Sequence, residues 1–335
     1  MSDSNKWGIV LAAGEGSRVR EFLSALCGGR GIKQYCSVLG KDSLLQMTLD
    51  RVQQLIPRER ILVIVDKRHR PEAAAQLAGW PKENIIYQPA NRETAPGILL
   101  PLAHVSHRCP DATVAVFPSD HFISNERGFM AHVEQAFAET ELYPQNAILL
   151  GMTPDRMEEG YGWISCREDY QDKSSRAVRG FWEKPPLTQA EKLMRDGALW
   201  NTFVFAARAA TLWDLTRHTV PELYGAFSGI RIMLGTAHAR KYIEQTYERL
   251  SAVNFSSAIF AQCAERLRVL AVPEIGWSDW GSADRILNSA MRVGRLGELA
   301  SRLEQQRVDP GLAHVLSRYH QPHPDAAAYS DAVVA

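Results

Sequence analysis

Short apolar runs alternate with longer stretches of helical spacing through the first half of the chain. WGIVL (7–11), ILVIV (61–65), NIIY (84–87), TVAVF (113–117) and AILLGM (147–152) have strand length and almost no polar face, as parallel strands buried on both sides do. Between them, Leu44, Leu45, Thr48, Leu49 and Val52 recur at helical spacing after Ser43, a residue suited to an N-cap, and Leu99, Leu100 and Ala103 do so after Pro96. The alternation predicts a doubly wound α/β sheet with ligands at the carboxyl ends of its strands. In the second half YGWIS (161–165), AVRGFWEK (177–184), WNTFVFAA (200–207) and LRVLAV (267–272) read as further strands, set among helices and wider loops. No repeat or low-complexity linker divides the chain, which predicts one composite domain. Residues 296–335 read as a helical tail with a frayed end, HPDAAAYSDAVVA, which either packs on that domain or makes a homodimer.

The 335 residues are 45% apolar and 23% charged, the balance of a soluble globular protein with chain enough for a sizeable core. Thirty-eight basic residues offset thirty-eight acidic ones. No global positive field therefore exists to hold nucleic acid or an anionic membrane, and any bound phosphate must be gripped locally. Cys27, Cys36, Cys109, Cys166 and Cys263 are odd in number and scattered, without a Cys-x-x-Cys pair; reduced thiols are the simplest reading. MSDSNKWGIVLAAGEG lacks the basic segment and long apolar core of a secretory signal, and no apolar run nears the roughly 18 residues of a membrane span. A cytoplasmic location is expected.

LAAGEGSR (11–18) follows the first strand. Gly14 and Gly16 let backbone N–H groups approach an anion and Arg18 adds a fixed charge, in the strand-loop-helix setting such a loop needs. With 23 glycines in the chain, about one or two Gly-x-Gly pairs arise by chance, so a plain tight turn competes with a phosphate loop. A dinucleotide fingerprint would need a glycine where Val19 stands, and Gly40-Lys41 is followed by Asp42 where a Walker loop has Ser or Thr. Lys33 lies fifteen residues beyond Arg18, so a helical excursion brings its ammonium back beside it.

Asp120 directly follows the strand TVAVF and Pro118-Ser119. It either caps the next helix or is a ligand at the edge of the sheet. Asp279, in the turn GWSDWGS (276–282), is equally suited to a strand end. Two oxygen donors from separate strands suit Mg²⁺, which takes few protein carboxylates and completes its octahedron with water and phosphates. His104, His107 and Cys109 follow a helical pattern without a second pair of ligands, which disfavours zinc. Ser119-Asp120-His121 is no hydrolase triad, because consecutive residues point in different directions.

Taken together these segments resemble the sugar-1-phosphate nucleotidylyltransferases, most closely their mannose-1-phosphate guanylyltransferase branch. LAAGEGSR is similar to that family's Gly-x-Gly-x-Arg signature and KQY (33–35) to the Lys-Gln-aromatic that follows it. YQPANRETAP (87–96), FPSDHFI (117–123), EGYGWI (159–164), FWEKPP (181–186), LWNTFVF (199–205) and GWSDWGS complete the series in order. The resemblance implies a Rossmann-like nucleotidyltransferase domain over 1–295, with a mixed, mostly parallel sheet and helices on both faces. Its nucleotide half would be about 1–150 and its sugar-phosphate half about 151–295. It further implies transfer of a nucleotidyl group from a nucleoside triphosphate, GTP first, to a sugar 1-phosphate, mannose 1-phosphate first, with release of pyrophosphate. Another pair, UTP or dTTP with glucose 1-phosphate, and a catalytically silent sugar-nucleotide-binding regulator are the alternatives.

The roles implied are equally specific. The backbone at Leu11, Ala13, Gly14 and Gly16 would meet the nucleotide, and Gln88 would read the base. Arg18 and Lys33 would neutralise the phosphates, and Asp120 and Asp279 would hold Mg²⁺. Gly162, Glu183 and Asn201 would bind sugar hydroxyls, and Lys184 the sugar phosphate. No strong base or covalent nucleophile is required, since a sugar phosphate is already an oxyanion. The chain departs from the family pattern at Ala13, Ile32, Asn91 and Glu93, at Thr202-Phe203 in place of Ser-Gly, and at Ser256 in place of an aspartate. Longer members carry a C-terminal cupin-like isomerase domain. The residues after 296 are too few for one, so no phosphomannose isomerase activity is expected.

Overall fold

The computed structural model describes residues 5–167 and 175–305. In chain order the elements are β1 (Lys6–Ala12), α1 (Arg20–Cys27), α2 (Leu44–Gln53), β2 (Ile61–Asp66), α3 (Arg70–Gln76), β3 (Ile85–Gln88), α4 (Thr94–Arg108), β4 (Thr113–Pro118), β5 (Phe122–Ile123) and α5 (Glu126–Leu142). There follow β6 (Ala147–Met152), β7 (Gly162–Cys166), β8 (Arg176–Glu183), α6 (Leu187–Arg195), β9 (Leu199–Arg208), α7 (Ala209–Thr219), α8 (Pro221–Met233), α9 (Ala239–Arg249), α10 (Phe255–Ala258), β10 (Leu267–Val272), β11 (Trp277–Ser278), α11 (Ala283–Arg292) and α12 (Leu296–Gln305). Every strand expected from the apolar runs forms, with its ends within one residue of the expectation. Ser43 opens α2 through reciprocal bonds with Gln46, 3.2 Å from the Gln46 N–H to its hydroxyl and 3.0 Å from its own N–H to the Gln46 side chain, a capping box. The tail begins as the helix α12, and HPDAAAYSDAVVA lies outside the described residues.

The chain gathers into two compact units that interleave along the sequence. The first comprises the chain up to Gly14, Thr48–Ser119 and Asn125–Ile275. Among its described residues nine strands form a mixed sheet in the order β3-β2-β1-β4-β9-β6-β10-β8-β7, with β7 also paired to β9. β3, β2, β1 and β4 run parallel, as do β6 and β10, whereas β9 lies antiparallel between β4 and β6. The parallel strands are covered on both faces. Ile9, Ile64, Val114 and Val116 share one cluster with Ile98, Leu99 and Leu102 of α4 and with α7 and α8. On the opposite face a Cβ at Gly8 would meet Val52 of α2 at 3.3 Å. The β1–β4 register, which ends at Leu11↔Pro118, brings the two strand ends together. There Ser119 donates to the Leu11 carbonyl through both its N–H, at 3.2 Å, and its hydroxyl, at 2.6 Å.

The second unit comprises Glu15–Met47, Asp120–Ser124 and the chain from Gly276 on. Its core joins Phe22, Leu23 and Leu26 of α1 to Ile286, Leu287 and Ala290 of α11 and Leu299 and Leu303 of α12. Two short strands, β5 and β11, form a separate antiparallel ribbon with Ser278 opposite Phe122 and Trp277 opposite Ile123. Phe122 stacks on Trp280 at 4.7 Å between centroids, which anchors the ribbon in that core. Among the described residues no helix is long and apolar enough to cross a membrane.

Candidate active site

The ribbon decides where the two candidate carboxylates meet. Because Ser278 pairs with Phe122 in antiparallel sense, Asp279, one residue on, and Asp120, two residues back, arrive at the same ribbon end. Asp279 therefore follows a strand of the ribbon, not of the main sheet. Asp120 does not cap the next helix; α5 is capped by Asn125, whose side chain accepts from the Gly128 N–H at 2.9 Å. Lys33, only 4% exposed, places its ammonium 3.0 Å from Asp120 Oδ2 and donates a second bond to the Asp279 carbonyl. Asp279 Oδ1 accepts from Arg285 Nη1 at 2.7 Å and from the Gly281 N–H at 2.9 Å, while Arg18 Nη2 stands 3.9 Å from its Oδ2.

Charge explains the protonation state of this cluster. Burial pushes the Asp120 carboxyl upward, but the Lys33 ammonium and then His121, whose Nε2 is 3.8 Å away, more than offset it, so its pKa lies below the ordinary value. Burial raises Asp279 likewise, and Arg285, His121 and Lys33 overcome that, again with a net lowering. Both carboxylates are therefore ionised at neutral pH. Arg18 leaves 60% of its side chain in solvent, free to meet an anion.

Two glycines make the packing feasible. Gly16 sits at φ 57, and a Cβ there would lie 2.7 Å from Lys33 Cβ, so its lack of a side chain is required twice, by conformation and by contact. Gly14 has nothing within 4 Å of such an atom. A side chain at Gly281 would strike Asp279 Oδ2 at 2.7 Å and Arg285 Nη1 at 2.8 Å. Arg285, Gly281 and His121 were not singled out from the sequence. Arg285 carries the one available signal, a basic residue six positions after Asp279 in the first turn of α11.

The other expected residues belong to the first unit. Ala13 is buried and Gly14 exposed after β1. The Leu11 carbonyl is already taken by Ser119. Gln88, at the carboxyl end of β3, is fully buried, yet among the described residues neither its amide nitrogen nor its amide oxygen has a hydrogen-bond partner. Gly162, Glu183 and Asn201 converge because β7 pairs with both β8 and β9, with Gly162 opposite each of the other two. A Cβ at Gly162 would sit 3.2 Å from Glu183 Oε2 and 3.4 Å from Asn201 Nδ2. Asn201 Oδ1 accepts from the Phe203 N–H at 3.0 Å, which turns its NH₂ donors away from that contact. Phe203 holds φ 58, a conformation that favours the glycine of the family pattern, and its ring packs edge-on against Phe205 at 6.2 Å. Lys184 is exposed and reaches back to Glu183 Oε1 at 2.9 Å.

The nucleotidyl transferase family model matches residues 7–295. The chain belongs to that family. It is 31% identical over 291 residues to mannose-1-phosphate guanylyltransferase of Escherichia coli K12, and 31% identical over 300 residues to mannose-1-phosphate guanylyltransferase 2 of Escherichia coli O157:H7. Each alignment covers 84% of this chain and 59% of the relative, so the chain spans about three fifths of the length of these curated relatives. Among solved structures it is similar to the Thermus thermophilus protein described as a mannose-1-phosphate geranyltransferase, with TM-score 0.72, 26% identity and coverage of 83% of this chain and 76% of that one. A Helicobacter pylori mannose-6-phosphate isomerase shares the fold at TM-score 0.64 and 17% identity, over 82% of this chain and 99% of that one.

For a nucleotidyl transferase the donor set at the ribbon end fits a hard divalent cation. It offers two ionised carboxylates, with the His121 imidazole 3.8 Å from Asp120, and oxygen donors of this kind suit a hard divalent cation. His104 is half-buried on α4, where burial first and then the charges of Arg108 and His107 bring its pKa down to about 4. No group of three or more His, Cys, Asp or Glu side chains converges as a metal cage among the described residues.

Proposed function

We propose that the chain transfers a guanylyl group from GTP to mannose 1-phosphate, giving GDP-mannose and pyrophosphate. The observation that carries this reading is the buried Lys33 ammonium bonded to both Asp120 and the Asp279 carbonyl, with Arg18 exposed beside them. Such a cluster binds and neutralises phosphates; it contains no activated nucleophile. In the reaction an oxygen of the sugar phosphate forms a bond to the α-phosphorus, and the bond to the β-phosphate oxygen breaks with its electron pair leaving on pyrophosphate. No proton need move, so positioning and charge neutralisation supply the rate.

Lys33 and Arg18 would stabilise the charge that grows on the departing pyrophosphate. Arg285 and the Gly281 N–H hold the Asp279 carboxylate in one orientation. Asp120 and Asp279 would hold Mg²⁺, which would supply Lewis-acid neutralisation of phosphate charge. The unpartnered Gln88 amide offers one donor and one acceptor to a base edge, and its burial makes that pairing worth more than in water. Glu183, the Asn201 NH₂ group and the Gly162 backbone would take sugar hydroxyls, and Lys184 the sugar phosphate.

Pyrophosphate release measured over a grid of nucleoside triphosphates and sugar 1-phosphates tests this reading. The highest kcat/KM is expected for GTP with mannose 1-phosphate in the presence of Mg²⁺. Absence of turnover with that pair would overturn it, and preference for UTP or dTTP with glucose 1-phosphate would reassign the substrates.

A further inference from the structure

We propose that Trp280 is a positioning residue: stacked on Phe122, it holds the left-handed turn that aims Asp279 at Lys33, Arg18 and Arg285. Among the described residues, four other than glycine hold a positive φ, namely Glu93, Lys184, Phe203 and Trp280. Phe203 donates to Asn201 Oδ1 at 3.0 Å, and Trp280 directly follows Asp279. Trp280 alone of the four is fully buried, at φ 46. A bulky residue there is an outlier, because its Cβ crowds the following carbonyl. Such a conformation persists only where its surroundings impose it, and it points to a demand on the turn beyond packing.

The core of the second unit imposes it. Trp280 shares that core with Leu23 of α1 and with Ile286 and Leu287 of α11. Its ring lies 4.7 Å from that of Phe122, at an interplanar angle of 9°. Among the described residues its Nε1 has no hydrogen-bond partner, so apolar packing and stacking hold the ring. Phe122 lies opposite Ser278 on the ribbon and two residues after Asp120. The stack therefore ties the two strands together at the end where both carboxylates arrive.

The turn fixes Asp279 through its backbone. Trp280 donates its N–H to Ser278 Oγ at 3.3 Å, and Gly281 donates its own to Asp279 Oδ1 at 2.9 Å. A left-handed residue between Asp279 and Gly281 folds the chain back onto the carboxylate. A Cβ at Gly281 would lie 2.7 Å from Asp279 Oδ2 and 3.2 Å from Arg18 Nη2, which shows how close that return is. Arg285 then reaches Oδ1 at 2.7 Å. The Asp279 carbonyl, which accepts from Lys33, belongs to the peptide plane that φ of Trp280 orients. An L residue released from the stack would leave the left-handed region and turn that carbonyl away from Lys33. Glycine has no such preference.

That the turn governs turnover rests on the nucleotidyl-transfer reading; that it holds Asp279 on Lys33 does not. The test compares Trp280→Gly with Trp280→Ala in the full chain. Both delete the ring, so their packing losses match and their melting temperatures should lie close together. Only alanine meets the left-handed penalty, a population factor of about 5–30. Acetylation of Lys33, read by mass spectrometry, should therefore be about 5–30-fold faster in the alanine chain than in the glycine chain. In an active transferase kcat should be lower in the alanine chain by a similar factor. Equal acetylation of Lys33 in the two folded chains overturns the proposal, whatever the enzymatic activity proves to be. If neither chain folds, Phe122→Leu decides, since it removes the stack and keeps the core apolar. Lys33 should then be acetylated faster than in the parent chain, and unchanged protection overturns the proposal.

Discussion

Replacing Lys33 with methionine removes one positive charge and two hydrogen bonds while keeping most of the buried stem. In the structure that ammonium is 3.0 Å from Asp120 Oδ2 and also bonded to the Asp279 carbonyl. Loss of one preorganised donor to developing charge costs about 10²–10³ in kcat, or about 2.7–4 kcal/mol. The stability cost is smaller, about 1–3 kcal/mol, because Asp120 keeps 35% of its side chain in water. Its pH dependence follows from sign. In the parent chain burial raises the Asp120 pKa, but Lys33, followed by His121, lowers it further. The group therefore contributes stability that is present above its unfolded value of about 3.9 and is lost as pH falls through the lower native value. In Lys33→Met the chief lowering influence is gone and only His121 and a backbone hydrogen bond still oppose burial, so the ionised form contributes less at neutral pH. The stability gap between parent and variant should thus be widest near neutrality and close in acid, below about pH 4. Urea denaturation across pH, beside pyrophosphate-release kinetics at saturating substrate, measures both effects. Unchanged turnover, or a gap that does not vary with pH, would refute the reasoning.

Gln88→Met should leave thermal stability unchanged or raise it by about 1 kcal/mol, because a buried amide without partners is replaced by an apolar side chain of similar size, while KM for the nucleoside triphosphate rises; a large fall in melting temperature would show that the amide is structurally satisfied. Gly16→Ala should cost about 1–2 kcal/mol for a non-glycine residue in the left-handed region and also lower kcat, since the new Cβ would meet Lys33 Cβ at 2.7 Å; scanning calorimetry and kinetics check the pair of effects. Arg285→Ala breaks a pair whose side chains are 10% and 13% exposed, which should cost about 3 kcal/mol. Burial, the largest influence on Asp279, then loses its main counterweight, so the acid limb of the rate profile should move to higher pH.

Much of this protein is written in local sequence. Period, chain length and β-branching placed the strands, because a strand buried on both faces has to be apolar at every position. Ser43 marked the start of α2, because a cap involves only residues near it in the chain. The Gly-x-Gly-x-Arg loop, Lys33, Asp120 and Asp279 could be selected because phosphate and metal chemistry admits few residue types. What the tertiary structure decided depends on contacts between distant segments. Lys33 meets Asp120 across 87 residues and the Asp279 carbonyl across 246, and no periodicity encodes such a pairing. The insertion of β9 antiparallel between β4 and β6, the ribbon that carries Asp279 and the grip of Arg285 are of the same kind. Each is fixed only when packing of a shared apolar core sets the register of segments far apart in the chain, and the polar groups at their ends then find partners that the local sequence does not name.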